Sequence, residues 1–374
     1  MELDKDLAAR QEVRTLCRKA KGAQRILREF PQEKLDQIVE AAAKAFSAAA
    51  EELAKLAVAE TGFGNVPDKI TKNRFASETV AKAIRGMKTV GVLKADPKEK
   101  LWEVGVPVGV IAGIVPSTNP TSTVCYKSLI ALKSGNTIVF SPHPKALNCT
   151  LRAAKIIAEA AVKAGAPEGA VSCLSIPTMA GCQELMGAEE VNLILATGGP
   201  GMVKAAYSSG KPAIGVGAGN GPAYIHRSGD VKQALAKILR SKTFDNGTVC
   251  ASEQSIIVER DMEQAVVREA ERMGFYFMKP EEAEWLAGKL FKPNGGLNPA
   301  VVGKDATVLA KMGGFSLPFG AKVLVARESK VGPDRPYSME KLCPVLAFYV
   351  EDGEKEVLKR SMEILHHEGR GHTF

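Results

Sequence analysis

The feature that most constrains the fold is a regular alternation of short apolar runs and helical segments between residues 108 and 217. The first run, 108–115, is continuously apolar, as expected of a strand that is buried on both faces. Further strands are predicted at 137–140, 171–176, 192–197 and 212–217, and helices at 122–133, 148–164, 178–187 and 200–209. This alternation predicts a parallel sheet with right-handed crossovers, in which ligands bind at the carboxyl ends of the strands.

The flanking segments complete a two-domain α/β prediction with a boundary near residue 226. Residues 4–60 and 73–85 are predicted to be helical, and 94–107 to form an extended segment or hairpin. After a helix start at Pro31, one helical face carries Leu35, Ile38, Val39, Ala42, Ala43 and Phe46. In the second block, helices are predicted near 230–240, 261–273, 280–290 and 354–366, and strands at 254–259, 322–326 and 345–350. The chain ends at the predicted start of another strand, 369–374.

Composition excludes several classes of protein. The chain has 374 residues, 45% hydrophobic and 25% charged, which is typical of a globular protein with two domains. No apolar run reaches the roughly 18 residues of a membrane span, and the N-terminus is charged from its start. The net charge of +8 is interspersed along helices, which does not indicate nucleic-acid binding. Seven scattered cysteines without a CxxC predict neither disulfides nor a metal site, so we expect a cytoplasmic protein.

One cysteine, Cys250, lies at a turn before a predicted strand, where a side chain can be exposed and held in one direction. Cys250 lies between the Asn246-Gly247 turn and the strand predicted at 254–259. Glycine supplies the positive φ that such a turn requires, and a thiolate at this place can act as a nucleophile. The alternative is a small buried core residue, which is what most free cysteines are.

Three loops after predicted strands are further candidates. Residues 116–121 include Asn119, whose carboxamide would lie at the carboxyl end of a strand. Residues 196–202 are rich in glycine, which allows a phosphate to approach, and Pro200 suits the first turn of the next helix. The third loop, 215–221, is also rich in glycine. The second loop, 196–202, does not match GxGxxG, and each loop taken singly is better explained as an ordinary tight turn.

Together these motifs resemble the aldehyde dehydrogenase superfamily, and most of all its CoA-acylating branch, over essentially the whole chain. The segments that carry the resemblance are 114–122 (IVPSTNPTS), 140–144 (FSPHP), 193–204 (LILATGGPGMVK), 215–220 (GVGAGN), 242–247 (KTFDNG), 250–254 (CASEQ), 340–344 (EKLCP) and 371–373 (GHT). The resemblance implies two doubly wound, Rossmann-like domains and a small oligomerisation hairpin. It implies a dinucleotide-binding domain over 1–226 and a catalytic domain over 227–374.

The resemblance also implies roles for individual residues. Cys250 would be the nucleophile, and the Asn119 side chain with the Cys250 backbone N–H would form the oxyanion hole. His372 belongs to the Gly-His-Thr motif of the acylating branch, with a less certain role. His143 would lie near the adenosine ribose, or be an ordinary surface-loop histidine. The remaining residues implied along an NAD cofactor are Ser141, Pro142, Thr197, Gly198, Gly199, Gly217 and, at the nicotinamide ribose, Glu340.

The implied reaction is oxidation of a small aldehyde with coenzyme A as acceptor. Hydrolytic relatives have a glutamate where Gly215 aligns, and residues 215–220 contain no acid. Without a base, water is a poor nucleophile toward a thioester, whereas a thiol is partly ionised near neutral pH. A hydrolytic enzyme using Glu253 or Glu340 as the base, and a catalytically idle assembly or filament component, are the alternatives.

The chain also departs from the pattern of the family. Cys343 stands where the family often has serine or glycine, and we interpret it as a tolerated small residue. The family sequence continues beyond Gly-His-Thr with strands of the catalytic domain and a tail that pairs with a neighbour's hairpin. We therefore expect the C-terminal part to be missing here and the full-length protein to be a homo-oligomer. The cytoplasm is the expected location, with a bacterial microcompartment as the alternative.

Overall fold

The computed structural model of the chain describes residues 4–293 and 295–373. Contacts between Cα atoms divide it into two units. The first unit runs to Thr61 and resumes over Val66–Val216, and the second unit takes the short segment Gly62–Asn65 and begins again at Gly217. The parallel α/β architecture that the sequence predicts is confirmed in both units.

In the first unit, helices precede a hairpin and then alternate with strands. The helices are α1 (Lys5–Leu27), α2 (Gln32–Ala48), α3 (Ala50–Thr61), α4 (Val66–Arg74), α5 (Val80–Ile84), α6 (Pro120–Lys133), α7 (Leu147–Lys163), α8 (Met179–Gly187) and α9 (Pro200–Tyr207). The strands are β1 (Gly91–Asp96), β2 (Leu101–Gly105), β3 (Val110–Ile114), β4 (Thr137–Ser141), β5 (Val171–Cys173), β6 (Val191–Thr197) and β7 (Ala213–Val216).

The prediction for α2 is confirmed, whereas the helix predicted at 73–85 has a different start. The apolar face predicted from Leu35 to Phe46 is the buried face of α2, and Pro31 is its N-cap residue. The helix predicted at 73–85 begins earlier, at Val66, and runs through a π-helical turn at Phe75–Thr79 before α5. Val66 and Pro67 follow a glycine-containing turn, and this start has no apolar periodicity that would predict it.

The first sheet has the strand order β5-β4-β3-β6-β7, and all its neighbouring strands are parallel. Every residue of the central strand β3 is buried, as its continuous apolar run predicts. The chain moves outward from β3 through β4 to β5 and then returns to β6 on the other side of β3. The strand order therefore reverses between β3 and β6, where sheets of this type bind ligands.

The predicted hairpin is present as the antiparallel pair β1–β2, with an irregular register between Val92 and Lys94. Its apolar side chains face outward, and Trp102 is 71% exposed. Exposed apolar hairpins of this kind are candidate contact surfaces. The oligomerisation role implied by the resemblance stays a prediction.

The second unit contains a second parallel sheet with the strand order β10-β11-β12-β9-β8. Its strands are β8 (Gly221–Ile225), β9 (Glu253–Glu259), β10 (Phe275–Phe277), β11 (Val323–Arg327) and β12 (Val345–Glu351). Its helices are α10 (Val231–Thr243), α11 (Glu263–Met273), α12 (Pro280–Leu290), α13 (Ala306–Met312) and α14 (Glu354–His367).

Three features of the second unit differ from the predictions. The domain boundary lies at 216/217 rather than near 226, because the unpredicted strand β8 pairs with β9 and so belongs to the second sheet. The elements β10 and α13 are also absent from the predictions. Residues 369–373 form a turn instead of the start of a strand, since Gly369 and Gly371 take positive φ values. Phe374, the last residue of that prediction, lies outside the described residues.

Within the described residues, no helix combines the length and the apolar character that crossing a bilayer requires. The same part of the chain holds no group of three or more histidine, cysteine and acidic side chains placed to bind a metal ion.

The tight contact at the centre of the first sheet generates a stability prediction. A Cβ atom at Gly113 of β3 would lie 2.7 Å from Cδ1 of Phe140 and 3.1 Å from Cδ1 of Ile138. Gly113→Ala should therefore lower the free energy of unfolding by about 1–3 kcal/mol through overpacking. Urea denaturation measures this change. The control is Gly22→Ala on the exposed side of α1, where nothing lies within 4 Å, and it should raise stability by about 0.5–1 kcal/mol. Equal effects at the two glycines would contradict the packing argument.

Candidate functional site

In the first unit, the predicted site residues follow three neighbouring strands. Asn119 lies in the loop after β3, Ser141 is the last residue of β4, and Thr197 is the last residue of β6. Because β4, β3 and β6 are adjacent and parallel, their carboxyl ends meet at one edge of the sheet. The structure therefore brings these three loops together at the point where the strand order reverses.

The Asn119 carboxamide is held by a side chain that sequence reasoning missed. Asn119 precedes α6 as its N-cap residue, but its side chain makes no capping hydrogen bond. Instead, Lys72 Nζ donates to Asn119 Oδ1 at 2.5 Å, and Asn119 Nδ2 donates to Thr118 Oγ1 at 3.1 Å. The amide is thus oriented by its neighbours rather than used to start the helix.

The loop after β4 contains Ser141, Pro142 and His143. Ser141 and Pro142 are buried, whereas His143 is exposed. His143 Nδ1 accepts a hydrogen bond from the Lys145 backbone N–H at 3.1 Å. Partial desolvation of the ring and the nearby Lys145 lower the pKa of His143. This local bond explains the histidine without a ligand, so its place at an adenosine ribose stays a prediction.

The loop after β6 leads into a helix N-terminus. Gly199 is the N-cap residue of α9 and Pro200 its first helical residue. The first backbone N–H groups of a helix lack intrahelical partners, and the helix dipole favours an anion there. A Cβ atom at Gly199 would meet nothing within 4 Å, while one at Gly198 would touch only Met202. The arrangement can accept a phosphate group, as the glycine content suggests.

In the second unit, the candidate residues lie at the amino ends of strands, whereas those of the first unit lie at carboxyl ends. Gly217 and its loop precede β8, Cys250 precedes β9, and Glu340 precedes β12. These strands are neighbours in the order β12-β9-β8, so the three loops meet at the amino edge of the second sheet. The expectation that ligand-binding groups follow the carboxyl ends of strands is thus met by the residues of the first sheet only.

The turn before Cys250 has three consecutive residues in the left-handed region. Gly247 takes φ 73°, as the turn prediction requires, but Asp245 and Asn246 also take φ 49° and 51°. Side-chain bonds stabilise this backbone. The buried Asp245 accepts from the Asn65 backbone N–H at 2.9 Å and from Thr248 Oγ1 at 2.6 Å. Asn246 Nδ2 donates to the Gly303 carbonyl at 2.9 Å. These bonds hold the turn that leads to Cys250 and β9.

Cys250 is half-buried in a turn between a helix end and a strand. Cys173 is also half-buried, and the other five cysteines are buried. Burial raises the pKa of Cys17 and Cys343 to about 12. Burial also raises the pKa of the remaining thiols, Cys125, Cys149, Cys173 and Cys182. Since the thiolate is the reactive form, these six residues are poor nucleophiles at neutral pH.

Gly219 lies directly against the Cys250 backbone. A Cβ atom at position 219 would lie 1.9 Å from the Cys250 carbonyl oxygen and 3.3 Å from Cδ2 of His372. The adjacent Asn220 is buried and donates from Nδ2 to the Ser338 carbonyl at 2.8 Å. Only glycine fits at 219, so the loop before β8, Cys250 and His372 form one packed cluster.

Glu340 is bonded to the same loop. Its Oε1 accepts from the Gly219 N–H at 2.7 Å, and its own backbone N–H donates to Glu368 Oε2 at 2.6 Å. Burial and, to a lesser extent, Glu368 raise the pKa of the Glu340 carboxyl to about 8 against the opposing effects of the Gly219 N–H, Lys242 and Lys341. Both lysines are fully buried, and burial lowers the pKa of Lys341 to about 7 and of Lys242 to about 8.

His372 presents one ring nitrogen toward the interior of the cluster. Its Nδ1 accepts from the Thr373 backbone N–H at 2.9 Å. In the neutral ring that accepts at Nδ1, the proton is on Nε2, which is then a donor. This Nε2 is shielded from solvent and has no hydrogen-bond partner among the described residues. It is a polar group available to a bound molecule.

Three residues that contribute to these loops were not predicted. Asp245 lies inside a quoted motif, but the Asn-Gly pair after it explained the turn, so the motif gave it no separate role. Glu368 directly precedes the Gly-Arg-Gly-His stretch, which is the one local signal that could have indicated it. Lys72 lies 47 residues before Asn119, and no local pattern links the two.

The fold and these loops define a class of α/β protein with two parallel sheets, a cysteine in the turn before a strand of one sheet and a glycine-rich helix N-terminus after a strand of the other. The chain belongs to the aldehyde dehydrogenase family, whose model matches residues 4–274. An acetylating aldehyde dehydrogenase of Geobacillus thermoglucosidasius is 50% identical with a TM-score of 0.96, over 99% of this chain and 82% of its own. A Rhodopseudomonas palustris propionaldehyde dehydrogenase, solved with bound CoA and an acylated cysteine, is 28% identical with a TM-score of 0.82, over 95% and 80% of the two chains.

The bifunctional aldehyde-alcohol dehydrogenase of Escherichia coli K12 is 46% identical over 97% of this chain. The chain spans 40% of the length of that relative. The resemblance to the acylating branch that the motifs carry is therefore confirmed.

The left-handed turn generates a prediction about the reactivity of Cys250. Asp245→Ala should lower the free energy of unfolding by about 2–4 kcal/mol, because buried donors lose their acceptor and alanine is strained at positive φ. It should also change the rate at which iodoacetamide alkylates Cys250. Asp245→Asn should be milder, since asparagine tolerates this conformation. Urea denaturation and mass spectrometry measure the two effects.

The control for this experiment is Asp230→Ala, which removes the N-cap of α10, where Asp230 accepts from the Gln233 N–H at 2.9 Å. It should cost about 1 kcal/mol without changing alkylation. If Asp245→Ala left the alkylation rate unchanged, the turn would not position the thiol.

The raised pKa of Glu340 generates a prediction about pH dependence. Since its pKa of about 8 exceeds the ordinary carboxyl value, the folded state keeps a proton that the unfolded chain has released. The resulting stability is complete below the ordinary carboxyl pKa and is lost as pH rises through about 8. Glu340→Gln should therefore flatten the fall in unfolding free energy between about pH 5 and pH 8. The exposed Glu271→Gln should leave the profile unchanged, and an unchanged profile for Glu340→Gln would contradict the assignment.

Proposed function

We propose that the chain oxidises a short-chain aldehyde to an acyl-CoA with NAD, and catalyses the reverse reduction, through covalent chemistry at Cys250. The observation that carries this proposal is the position of Cys250. It is half-buried in the turn before β9, and its carbonyl lies against Gly219, which also packs against His372.

In the proposed reaction, the Cys250 thiolate adds to the aldehyde carbonyl carbon, and the carbonyl oxygen becomes an alkoxide. The Asn119 carboxamide and the Cys250 backbone N–H donate to this oxygen. NAD, when bound, accepts the hydride that leaves the former aldehyde carbon. The C–O bond becomes a carbonyl again, and an acyl thioester remains on Cys250. The CoA thiolate then attacks the acyl carbon and releases the Cys250 thiolate.

The cofactor-binding roles that the resemblance implies are part of this proposal. The phosphates of the cofactor would be accepted by the N-terminus of α9, with Thr197, Gly198 and Gly199 as lining residues. Ser141, Pro142, His143 and Gly217 would contact the rest of the dinucleotide. Glu340 would bind the nicotinamide ribose, which requires it to exchange or share its bond with the Gly219 N–H. The resemblance favours NAD over NADP.

CoA rather than water is the proposed acceptor. A Cβ atom at Gly215 would lie 2.8 Å from Cγ1 of Val203 and 3.1 Å from Cε2 of Tyr207. A glutamate at this position would have to displace α9 side chains, so the base of hydrolytic relatives has no counterpart there. Water needs such a base to attack a thioester, whereas a thiol supplies its own anion. The R. palustris relative was solved with bound CoA and an acylated cysteine, which supports CoA as the acceptor.

His372 is proposed to donate from Nε2 to the acyl oxygen or to the departing sulfur. Its Nδ1 bond to the Thr373 N–H favours the tautomer that has this proton. This is a role in stabilising negative charge on that oxygen or sulfur rather than in removing the first proton.

Hydrolysis is a second candidate, and one observation favours it. Glu253 Oε2 is buried and has no hydrogen-bond partner among the described residues. A carboxylate of this kind three residues after Cys250 could act as a base toward water. Glu253 therefore enters the test below.

Oligomer formation through the hairpin and residence in the cytoplasm or a microcompartment stay predictions from the sequence. The aldehyde would be a small one. Light scattering compares the assembly of this chain with that of a chain extended to family length.

The proposed function predicts a strict dependence on CoA. Formation of NADH, followed by absorbance with acetaldehyde, should be sustained only when CoA is present, and acyl-CoA should form in equal amount. Cys250→Ala should abolish turnover while circular dichroism stays unchanged, and Cys173→Ala should retain it. Glu253→Gln should retain it as well.

Three results would contradict this proposal. Free acid formed at full rate without CoA, and lost in Glu253→Gln, would establish the hydrolytic alternative. Turnover by Cys250→Ala near the parental rate would reject the nucleophile. No reaction in either direction would favour the idle assembly component.

A further inference from the structure

One face of α4 clamps the loop that carries Asn119. Lys69, Lys72 and Asn73 are spaced three and four residues apart, so they share a helical face. Lys69 Nζ donates to the Thr118 carbonyl at 3.1 Å, and Lys72 Nζ donates to Asn119 Oδ1 at 2.5 Å. Asn73 Oδ1 accepts from Thr121 Oγ1 at 2.8 Å. Of these contacts, only that of Lys72 reaches the Asn119 side chain.

The three clamp residues also differ in burial. Lys69 and Asn73 are buried at 3% and 1% exposure, and Asn73 Nδ2 donates to the Ala50 carbonyl at 3.0 Å. They tie the loop backbone and Thr121 to the helical layer. Lys72 is half-buried. Its contact is thus the one whose loss leaves the packing of the clamp in place.

The chemistry of Lys72 decides which way the Asn119 amide faces. An ammonium group has donors and no acceptor, whereas a carboxamide has an oxygen acceptor on one side and an N–H₂ donor on the other. A flipped amide would put Nδ2 against Lys72 Nζ, two donors in contact. Lys72 therefore holds Oδ1 toward itself and turns the donor side of the amide away from α4.

The same contact changes the strength of the donor. Hydrogen bonds from a charged donor are stronger than neutral ones, and bonds in a chain polarise one another. Electron density drawn toward Oδ1 by Lys72 leaves the Nδ2 hydrogens more positive. A more positive N–H interacts best with a full negative charge, so its effect is larger on an alkoxide than on a ground-state carbonyl.

We propose that Lys72 is a positioning residue that orients and polarises the Asn119 carboxamide for alkoxide stabilisation. This inference rests on the proposed role of Asn119 as an oxyanion donor. Lys72 acts through the amide and itself touches neither substrate nor cofactor in this proposal.

The test is a double-mutant cycle on the full chain with acetaldehyde, NAD and CoA. Asn119→Ala should lower kcat by about 10²–10³, as loss of one oxyanion donor does. Lys72→Met should lower kcat about 10-fold or more with little change in the KM for NAD, because it leaves the donor in place but unaligned. In the Asn119→Ala background, Lys72→Met should change kcat less than about 3-fold. Lys72→Arg should recover part of the rate in the parental background.

Lys69→Met is the matched control, since it removes an ammonium of the same helix face that donates to the Thr118 carbonyl. It should leave the cycle with Asn119 additive. Thermal denaturation of each variant separates loss of turnover from loss of fold.

Each other outcome has a distinct meaning. If Asn119→Ala kept the parental kcat, the proposed role of Asn119 would be wrong. If Asn119→Ala were slow but Lys72→Met were not, the inference about Lys72 would be overturned while the proposed function stood. Equal losses for Lys72→Met in both backgrounds, or losses matched by Lys69→Met, would make Lys72 a structural residue and overturn it as well.

Discussion

The close approach of Gly219 to the Cys250 carbonyl is the constraint on which the second unit's site depends. With 1.9 Å between that oxygen and an added Cβ, no side chain fits, and the backbone of the loop lies directly against the cysteine. The Gly219 N–H then reaches Glu340, the neighbouring Asn220 is anchored to Ser338, and His372 packs against the same glycine. Because Gly219 has no side chain, the segments that precede β8, β9 and β12 can pack against one another and against the Gly-His-Thr turn.

The two sheets place their chemistry at opposite ends of their strands for a physical reason. In the first sheet, the chain leaves β3 and β6 and enters helices, so helix N-termini and their unpaired N–H groups face the loop region. In the second sheet, Cys250 follows a helix end and a left-handed turn and then enters β9. A nucleophilic thiol needs a fixed position more than it needs several N–H donors. The turn that contains Asp245 provides such a position.

Much of this could be predicted from the sequence where the signal is local. The apolar run of β3, the buried face of α2 and the Asn-Gly turn each depend on residues within a few positions of one another. Strand β8 could not be predicted, because it is short, contains Pro222 at a sheet edge and has only partly buried side chains between its ends. The residues that hold the loops of the site could not be predicted either. Lys72 finds Asn119 only through the fold, and Asp245 meets the Asn65 backbone 180 residues away.

The raised pKa values of six thiols have a further consequence for a chain proposed to oxidise aldehydes. Aldehydes are electrophiles that combine with any accessible thiolate or neutral amine, so an enzyme exposed to them risks modification by its own substrate. Here the thiols other than Cys250 are held protonated by burial, and Lys242 and Lys341, whose lowered pKa values would otherwise make them reactive amines, are fully enclosed. These thiols and amines are thus protected from adduct formation, and Cys250 is left as the residue proposed to react with the aldehyde.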